Sequence, residues 1–310
     1  MLPHALQHTR RTGLVRIEVQ RVSKRFGAVT ALSDVTFCIE PGRRVALIGP
    51  NGSGKSTLNR ILMGLLTCDG EVRIDGHSPF RDRVEIARGL AYVPQAPPQL
   101  GARVDELVAA VTRVRAIERR EVERVAAALE LDLREQGGHP FRTLSGGMKQ
   151  KFLIALAFSS GASLLLLDEP TGSLDADARE RFFGLFDELD PLTTLILCSH
   201  RLEEIRPLVD HVLFLEDGRL VYDGAAASFL DRCTVSVLEV WADESAARWL
   251  SSRGFHPTPA GVWVRNATHA EKMKLLQELA AELGSSLRNV NARDLERLDL
   301  TVAGRVGGRG

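Results

Sequence analysis

The residues with the most definite chemistry are Gly49-Pro50-Asn51-Gly52-Ser53-Gly54-Lys55-Ser56, followed by Thr57. They fit the pattern G-x-x-x-x-G-K-[ST], in which each part answers a physical need. The glycines let the backbone curl around a phosphate with successive N–H groups pointing inward. A helix starting near Lys55 aims its positive end at the same anion. The Lys55 ammonium reaches the β- and γ-phosphates, and the Ser56 hydroxyl is a ligand for Mg²⁺. Such a loop by itself suits a kinase or a small GTPase equally well, so a second site has to decide.

The second site is Asp168-Glu169, directly after four leucines. An acidic residue ending a buried strand, in the same sheet as the phosphate loop, can hold Mg²⁺. Glu169, one residue further on, can polarise an attacking water. Alone, Asp168-Glu169-Pro170 reads equally well as a strand-ending turn; beside a phosphate loop it reads as a metal and base site. A third segment, Leu144-Ser145-Gly146-Gly147-Met148, places Ser145 as the N-cap of a following helix. Its two glycines leave N–H groups bare for an anion. Two phosphate-binding devices thus lie about 90 residues apart in one chain.

These residues need elements to position them. Residues 14–20 and 32–39 read as strands. The runs 45–48, 164–167 and 195–198 are apolar at every position, as in strands buried on both faces of a mostly parallel sheet. They end in Gly49, in Asp168, and in Ser199-His200. Ligands of such sheets sit beyond the carboxyl ends of the strands. Leu58, Ile61, Leu62, Leu65 and Leu66 mark one face of a helix from Lys55. Residues 103–132 read as two charged amphipathic helices separated near Ile117, 148–158 as another helix, and 176–189 as another. The pattern changes near Asp231. A strand (234–241), a helix (244–252), a hairpin around Pro259-Ala260-Gly261, a helix (269–283) and a strand (286–290) give β-α-β-β-α-β, a ferredoxin-like split unit. In that second helix Met273, Leu276, Leu279, Ala280 and Leu283 are expected to face inward. The expected domains are an extension (1–13), an α/β nucleotide domain (14–230), a small α+β domain (233–300) and a flexible tail (301–310).

The 310 residues carry 40 Lys and Arg against 40 Asp and Glu, so net charge asks for neither nucleic acid nor an anionic membrane. At 44% hydrophobic and 26% charged, the composition excludes a disordered or fibrous chain. No window has the roughly 18–20 unbroken apolar residues of a membrane helix, and residues 1–16 lack the apolar core of a secretory signal. A cytosolic chain is expected. Cys38, Cys68, Cys198 and Cys233 form no Cys-x-x-Cys pair. Cys38 and Cys198 sit in apolar runs and are expected to be buried free thiols.

In order and together, Gly-Pro-Asn-Gly-Ser-Gly-Lys-Ser-Thr (49–57), Leu-Ser-Gly-Gly-Met (144–148) and Leu-Leu-Leu-Leu-Asp-Glu-Pro-Thr (164–171) resemble the ATP-binding subunits of ABC transporters, over about residues 14–230. The resemblance implies a P-loop NTPase core with a helical subdomain at about 96–160. It implies ATP and Mg²⁺ as cofactors, Glu169 as catalytic base, and Ser56, Gln95 and Asp168 toward the metal. Residues 51–57 would hold the phosphates. Gln95, in Ala91-Tyr92-Val93-Pro94-Gln95, matches the Q-loop glutamine; His200 matches the switch histidine; Ser173-Leu174-Asp175 matches the D-loop. Phe26 stands where the family more often has a tyrosine stacked on adenine, and stacking needs only the π face. Met148 replaces the glutamine common at the end of the signature.

In this family ATP is held between the phosphate loop of one subunit and the Ser145-Gly146-Gly147 signature of another. The resemblance therefore implies a second ATP-binding subunit, identical or paralogous, and a separate membrane permease met by the Gln95 loop, residues 96–100 and the helices at 103–132. It implies a peripheral place on the cytoplasmic face of the membrane. Val290 to Thr301 resembles the closing stretch of ABC-2 exporter ATPases, with Asp294 in place of serine and Leu298 in place of phenylalanine; it reads equally as a plain amphipathic helix. The competing class is a soluble ABC ATPase of repair or translation. Such proteins carry coiled coils, zinc sites or two cassettes, and this sequence has no heptads, metal cysteines or second phosphate loop.

Overall fold

The computed structural model describes residues 14–199 and 201–296. The chain divides into two compact units, with the boundary between Ala226 and Ala227. The first unit runs β1 (Ile17–Phe26), β2 (Val29–Ile39), β3 (Arg44–Ile48), α1 (Lys55–Leu62), β4 (Asp69–Ile74), α2 (Arg83–Gly89), β5 (Leu90–Val93), α3 (Val104–Arg115), α4 (Arg119–Ala128) and α5 (Leu133–Gln136). It continues α6 (Gly146–Ser159), β6 (Leu164–Asp168), α7 (Ala176–Gly184), β7 (Thr194–Cys198), α8 (Leu202–Leu208), β8 (His211–Glu216) and β9 (Arg219–Ala225), and α9 (Ala226–Cys233) crosses the boundary.

A six-stranded sheet of order β5-β6-β7-β3-β8-β9 forms the centre. It is parallel except for the β8–β9 pair. β6 and β7 are buried at every position, as their unbroken apolar sequence requires. Their side chains alternate between two cores. Leu165, Leu167, Leu195 and Leu197 pack with Phe141, Phe152, Phe182 and Phe186 from the helical side. Leu164, Leu166, Ile196 and Cys198 pack with Val19, Phe37, Leu58 and Ile61. That second core lies against an antiparallel sheet of order β2-β1-β4.

The second unit runs β10 (Thr234–Ala242), α10 (Ala247–Ser252), β11 (His256–Pro257), β12 (Trp263–Thr268), α11 (His269–Leu283) and β13 (Leu287–Glu296). Its sheet has the order β11-β12-β10-β13 and every pairing is antiparallel. This is the strand order of a split β-α-β arrangement. α11 opens on a capping box: the Thr268 hydroxyl accepts from Glu271 N–H, and Glu271 accepts from Thr268 N–H.

Several elements differ from the sequence reading. α1 stops at Leu62, because Gly64 turns the chain at φ +69°, so Leu65 is exposed. The helix expected over 176–189 is α7 followed by a single 3₁₀ turn, Leu185–Glu188. Cys38 is exposed, since β2 buries Val35, Phe37 and Ile39 on alternate positions and turns Cys38 outward. On α11 the inward residues are Lys272, Leu275, Leu279 and Leu283; Met273 and Ala280 are exposed. Residues 290–296 continue β13 as a strand, which excludes the amphipathic-helix reading there. Residues 1–13 and 297–310 lie outside the described residues.

Candidate functional site

The parallel strands bring the chemistry to one edge. Leu47 of β3 pairs with Cys198 of β7, and Cys198 pairs with Asp168 of β6. Leu167 in turn pairs with Val93 of β5. The phosphate loop, Ser199, Asp168-Glu169 and the Pro94-Gln95 turn therefore leave the sheet at nearly the same level, on adjacent strands about 4.8 Å apart. Gln95 is exposed there. His200 lies outside the described residues.

The loop is built by glycine. Gly52 and Gly54 adopt φ +84° and +107°, a left-handed region that other residues resist. A Cβ on Gly49 would come 2.1 Å from the Leu215 carbonyl oxygen, and one on Gly54 would come 2.5 Å from that of Ala31. At Gly52 a Cβ would meet nothing within 4 Å, so that flank is open. Gly54 caps α1 with no side-chain bond, which leaves the first N–H groups of the helix to the loop. The Lys55 ammonium donates to the carbonyls of Gly49 at 2.7 Å and Pro50 at 3.0 Å. The Ser53 side-chain oxygen is buried without a hydrogen-bond partner, an orphaned polar atom within the cradle. Phe26 ends β1 at the hairpin tip beside Gly27, half exposed, with Lys24 Nζ 5.5 Å from its ring centroid. β2 of that hairpin supplies the Ala31 carbonyl against Gly54, which ties the aromatic to the loop.

At the end of β6, burial raises the Asp168 pKa, the Glu169 charge adds to the shift, and Lys55 and Arg60 oppose it. Tyr92 donates its hydroxyl to Asp168 Oδ2 at 3.4 Å, and its own pKa is pushed up to about 12, first by burial and then by the Asp168 charge. Tyr92 is thus a lasting donor. Glu169 holds φ +47°, strained for a residue with a Cβ and worth about 1–3 kcal/mol. Its N–H donates to the Cys198 carbonyl at 2.8 Å. Behind it Asn59 Nδ2 donates to Cys198 Sγ at 3.1 Å, and burial pushes that thiol upward.

The remaining sequence-predicted residues do local work. Ser145 caps α6 by accepting from Met148 N–H at 3.2 Å, and Gly146 and Gly147 form the first turn. A Cβ on Gly147 would come 3.1 Å from the Ser173 carbonyl oxygen. Asp175 caps α7 through Ala178 N–H at 2.8 Å, so its carboxylate already has a structural use. Sequence reasoning missed Tyr92, Asn59, Thr171, Ser199 and Glu204. Glu204 is fully buried and accepts from the Thr171 and Ser199 hydroxyls. Its burial inside α8 is visible only in the fold.

The donor set fits ATP with Mg²⁺. The Asp168 carboxyl, held up by burial and next to Glu169, feels the charge of the loop lysine, and Ser56 lies in the first turn of α1 with an exposed side chain. A cation between them would relieve the charge that burial penalises.

Residues 32–172 match the family described as ABC transporter. The chain is 33% identical over 242 residues to the Nod factor export ATP-binding protein I of Rhizobium etli, covering 74% of this chain and 75% of that one. It is 33% identical over 223 residues to the energy-coupling factor transporter ATP-binding protein EcfA1 of Thermotoga maritima, covering 70% and 85%. Among solved structures, an ATP-binding subunit of an ABC transporter superposes with TM-score 0.61 at 29% identity, covering 67% of this chain and 89% of that one. The chain belongs to the ATP-binding subunits of ABC transporters, and it is an ATPase. No helix among the described residues is long and apolar enough to cross a membrane.

Proposed function

We propose that this chain is the motor subunit of a transporter, closing as a pair around two ATP and driving a separate permease. The convergence of the glycine loop, Asp168-Glu169 and the Gln95 turn on one sheet edge carries the reading. Lys55 and the N–H groups of residues 51–57 bind the phosphates, and Phe26 stacks on the base. Ser56, Asp168 and Gln95 would hold Mg²⁺, which when bound neutralises charge on the phosphates. Glu169 accepts the proton of the attacking water, and His200 orients the γ-phosphate. Ser145, Gly146, Gly147 and Asp175 of a second copy or a paralogue complete the site in trans. ATP bonded by both halves favours the closed pair, and hydrolysis removes that bond.

Residues 96–100 are mostly exposed and lie between Gln95 and α3, which supports this stretch as the permease contact. The direction we read is export, on the Nod factor export relative and the resemblance of residues 290–301; the EcfA1 relative is named for an energy-coupling factor transporter. The unit after Ala226 we read as an accessory domain that strengthens pairing. The subunit works at the cytoplasmic face of the membrane.

The test separates the two halves of the site. Lys55→Ala should lower ATP affinity of the isolated chain by tenfold or more, about 1.4 kcal/mol. Ser145→Arg should leave that affinity unchanged and block ATP-driven pairing in sedimentation. Equal loss of nucleotide binding in both variants contradicts an in-trans signature. Vesicles carrying the co-purifying permease, scored for ATP-dependent substrate movement, decide direction.

A further inference from the structure

Burying an unpaired carboxylate is costly, so a buried glutamate persists only where groups face it. Four face Glu204, whose side chain is 0% exposed. The Thr171 hydroxyl donates to Oε1, and the Ser199 hydroxyl donates to Oε2 at 2.7 Å. Arg179 Nε of α7 lies 3.9 Å from Oε1, and Arg201 Nε lies 3.8 Å from it. Ser199 also accepts from Arg201 N–H at 3.1 Å.

Thr171 follows Glu169 by two residues, and Ser199 immediately precedes His200. Glu204 therefore joins the segment after β6 to the segment after β7. A backbone tie exists on the near side, Glu169 N–H to the Cys198 carbonyl at 2.8 Å. The Glu204 clamp is a second tie on the far side of Glu169. A residue held at φ +47° keeps that conformation only if its surroundings over-determine it, and these two ties flank it.

We propose that Glu204 is a positioning residue for ATP hydrolysis: through Thr171 and Ser199 it fixes the Glu169 segment against the β7 end and holds Glu169 in its strained, working conformation. This rests on the reading of Glu169 as the base. A displacement of about 1 Å at a reacting group costs about a hundredfold in rate, so turnover should respond while nucleotide binding, made by the glycine loop, should not.

The full-length chain is measured for ATP turnover (kcat and KM), for affinity toward a fluorescent ATP analogue without Mg²⁺, and for thermal midpoint. Glu204→Ala and the pair Thr171→Val with Ser199→Ala should each lower kcat by about 10- to 100-fold, with KM and analogue affinity within about threefold of the parent. Glu204→Gln still meets both hydroxyls and should keep kcat within about threefold. The proposal is overturned if both tether-cutting variants keep kcat within threefold, if analogue affinity falls along with kcat, or if Glu204→Gln is as slow as Glu204→Ala. Should Glu204→Ala fail to fold, the Thr171/Ser199 pair decides alone. Glu169→Gln, run beside them, tests the reading beneath: full turnover there removes the base assignment itself, whereas its loss with unaffected tether variants removes only the role of Glu204.

Discussion

The central sheet of the first unit and the sheet of the second unit are built by opposite rules, and the rule of the first gathers strand exits at one edge. In the first unit β5, β6, β7 and β3 run parallel, so each strand delivers its carboxyl end, with a loop, to the same edge. Four unrelated stretches of sequence meet there. In the second unit every pairing is antiparallel, so successive strand ends alternate between opposite edges. Its core, Leu238, Val240, Leu250, Phe255, Leu275 and Leu279, is a sound apolar cluster. Parallel topology is what brings these local motifs to one edge.

Three experiments test that contrast. The largest effect is expected for Glu169→Gln. It should leave ATP binding intact and lower hydrolysis by about two to four decades, since it removes the water-activating group; the variant should accumulate as an ATP-bound pair in sedimentation. Near-normal turnover would mean the parallel edge is not the reaction centre. Next comes removal of the antiparallel unit. A chain ending after Arg232 should stay soluble and bind ATP within about tenfold of the parent, about 1.4 kcal/mol, while pairing more weakly. An insoluble product, or a larger loss, would show that the two units share a core.

The smallest effect concerns Asp168→Asn in nucleotide-free protein. The folded-state pKa of Asp168 is raised, so the fold disfavours its charged form. That cost is fully present above the folded pKa and vanishes as pH falls below the unfolded value. The amide should therefore raise the thermal midpoint at neutral pH, with about 2–4 °C for each kcal/mol relieved, and the gap should close in acid. A gap that widens on acidification would contradict the sign of the burial effect.

The sequence made the reaction edge legible because its parts are local. A glycine run, four leucines before Asp168 and an apolar run before Ser199 each announce strand and exit within ten residues. Residues that act across the fold were silent. Tyr92 reaches Asp168 over 76 positions, and Thr171 reaches Glu204 over 33. Nothing in either neighbourhood encodes its partner. In α11 the apolar pairs Leu275-Leu276 and Ala280-Ala281 make two stripes nearly equal, and packing against Leu238 and Phe255 selected the one through Leu275 and Leu279. In β2 the hydrophobic run hid an alternation, which is why Cys38 faces out.

The left-handed backbone at Glu169 has a consequence for how this protein tolerates change. Glycine would adopt that conformation without strain, so Glu169→Gly should ease folding and, if Glu169 is the base as proposed, lower turnover. A lineage screened only for abundance or nucleotide capture would accept the exchange, and its product would pass every assay except turnover. On the reading of Glu169 as the base, only an assay of turnover would tell such a product from the parent.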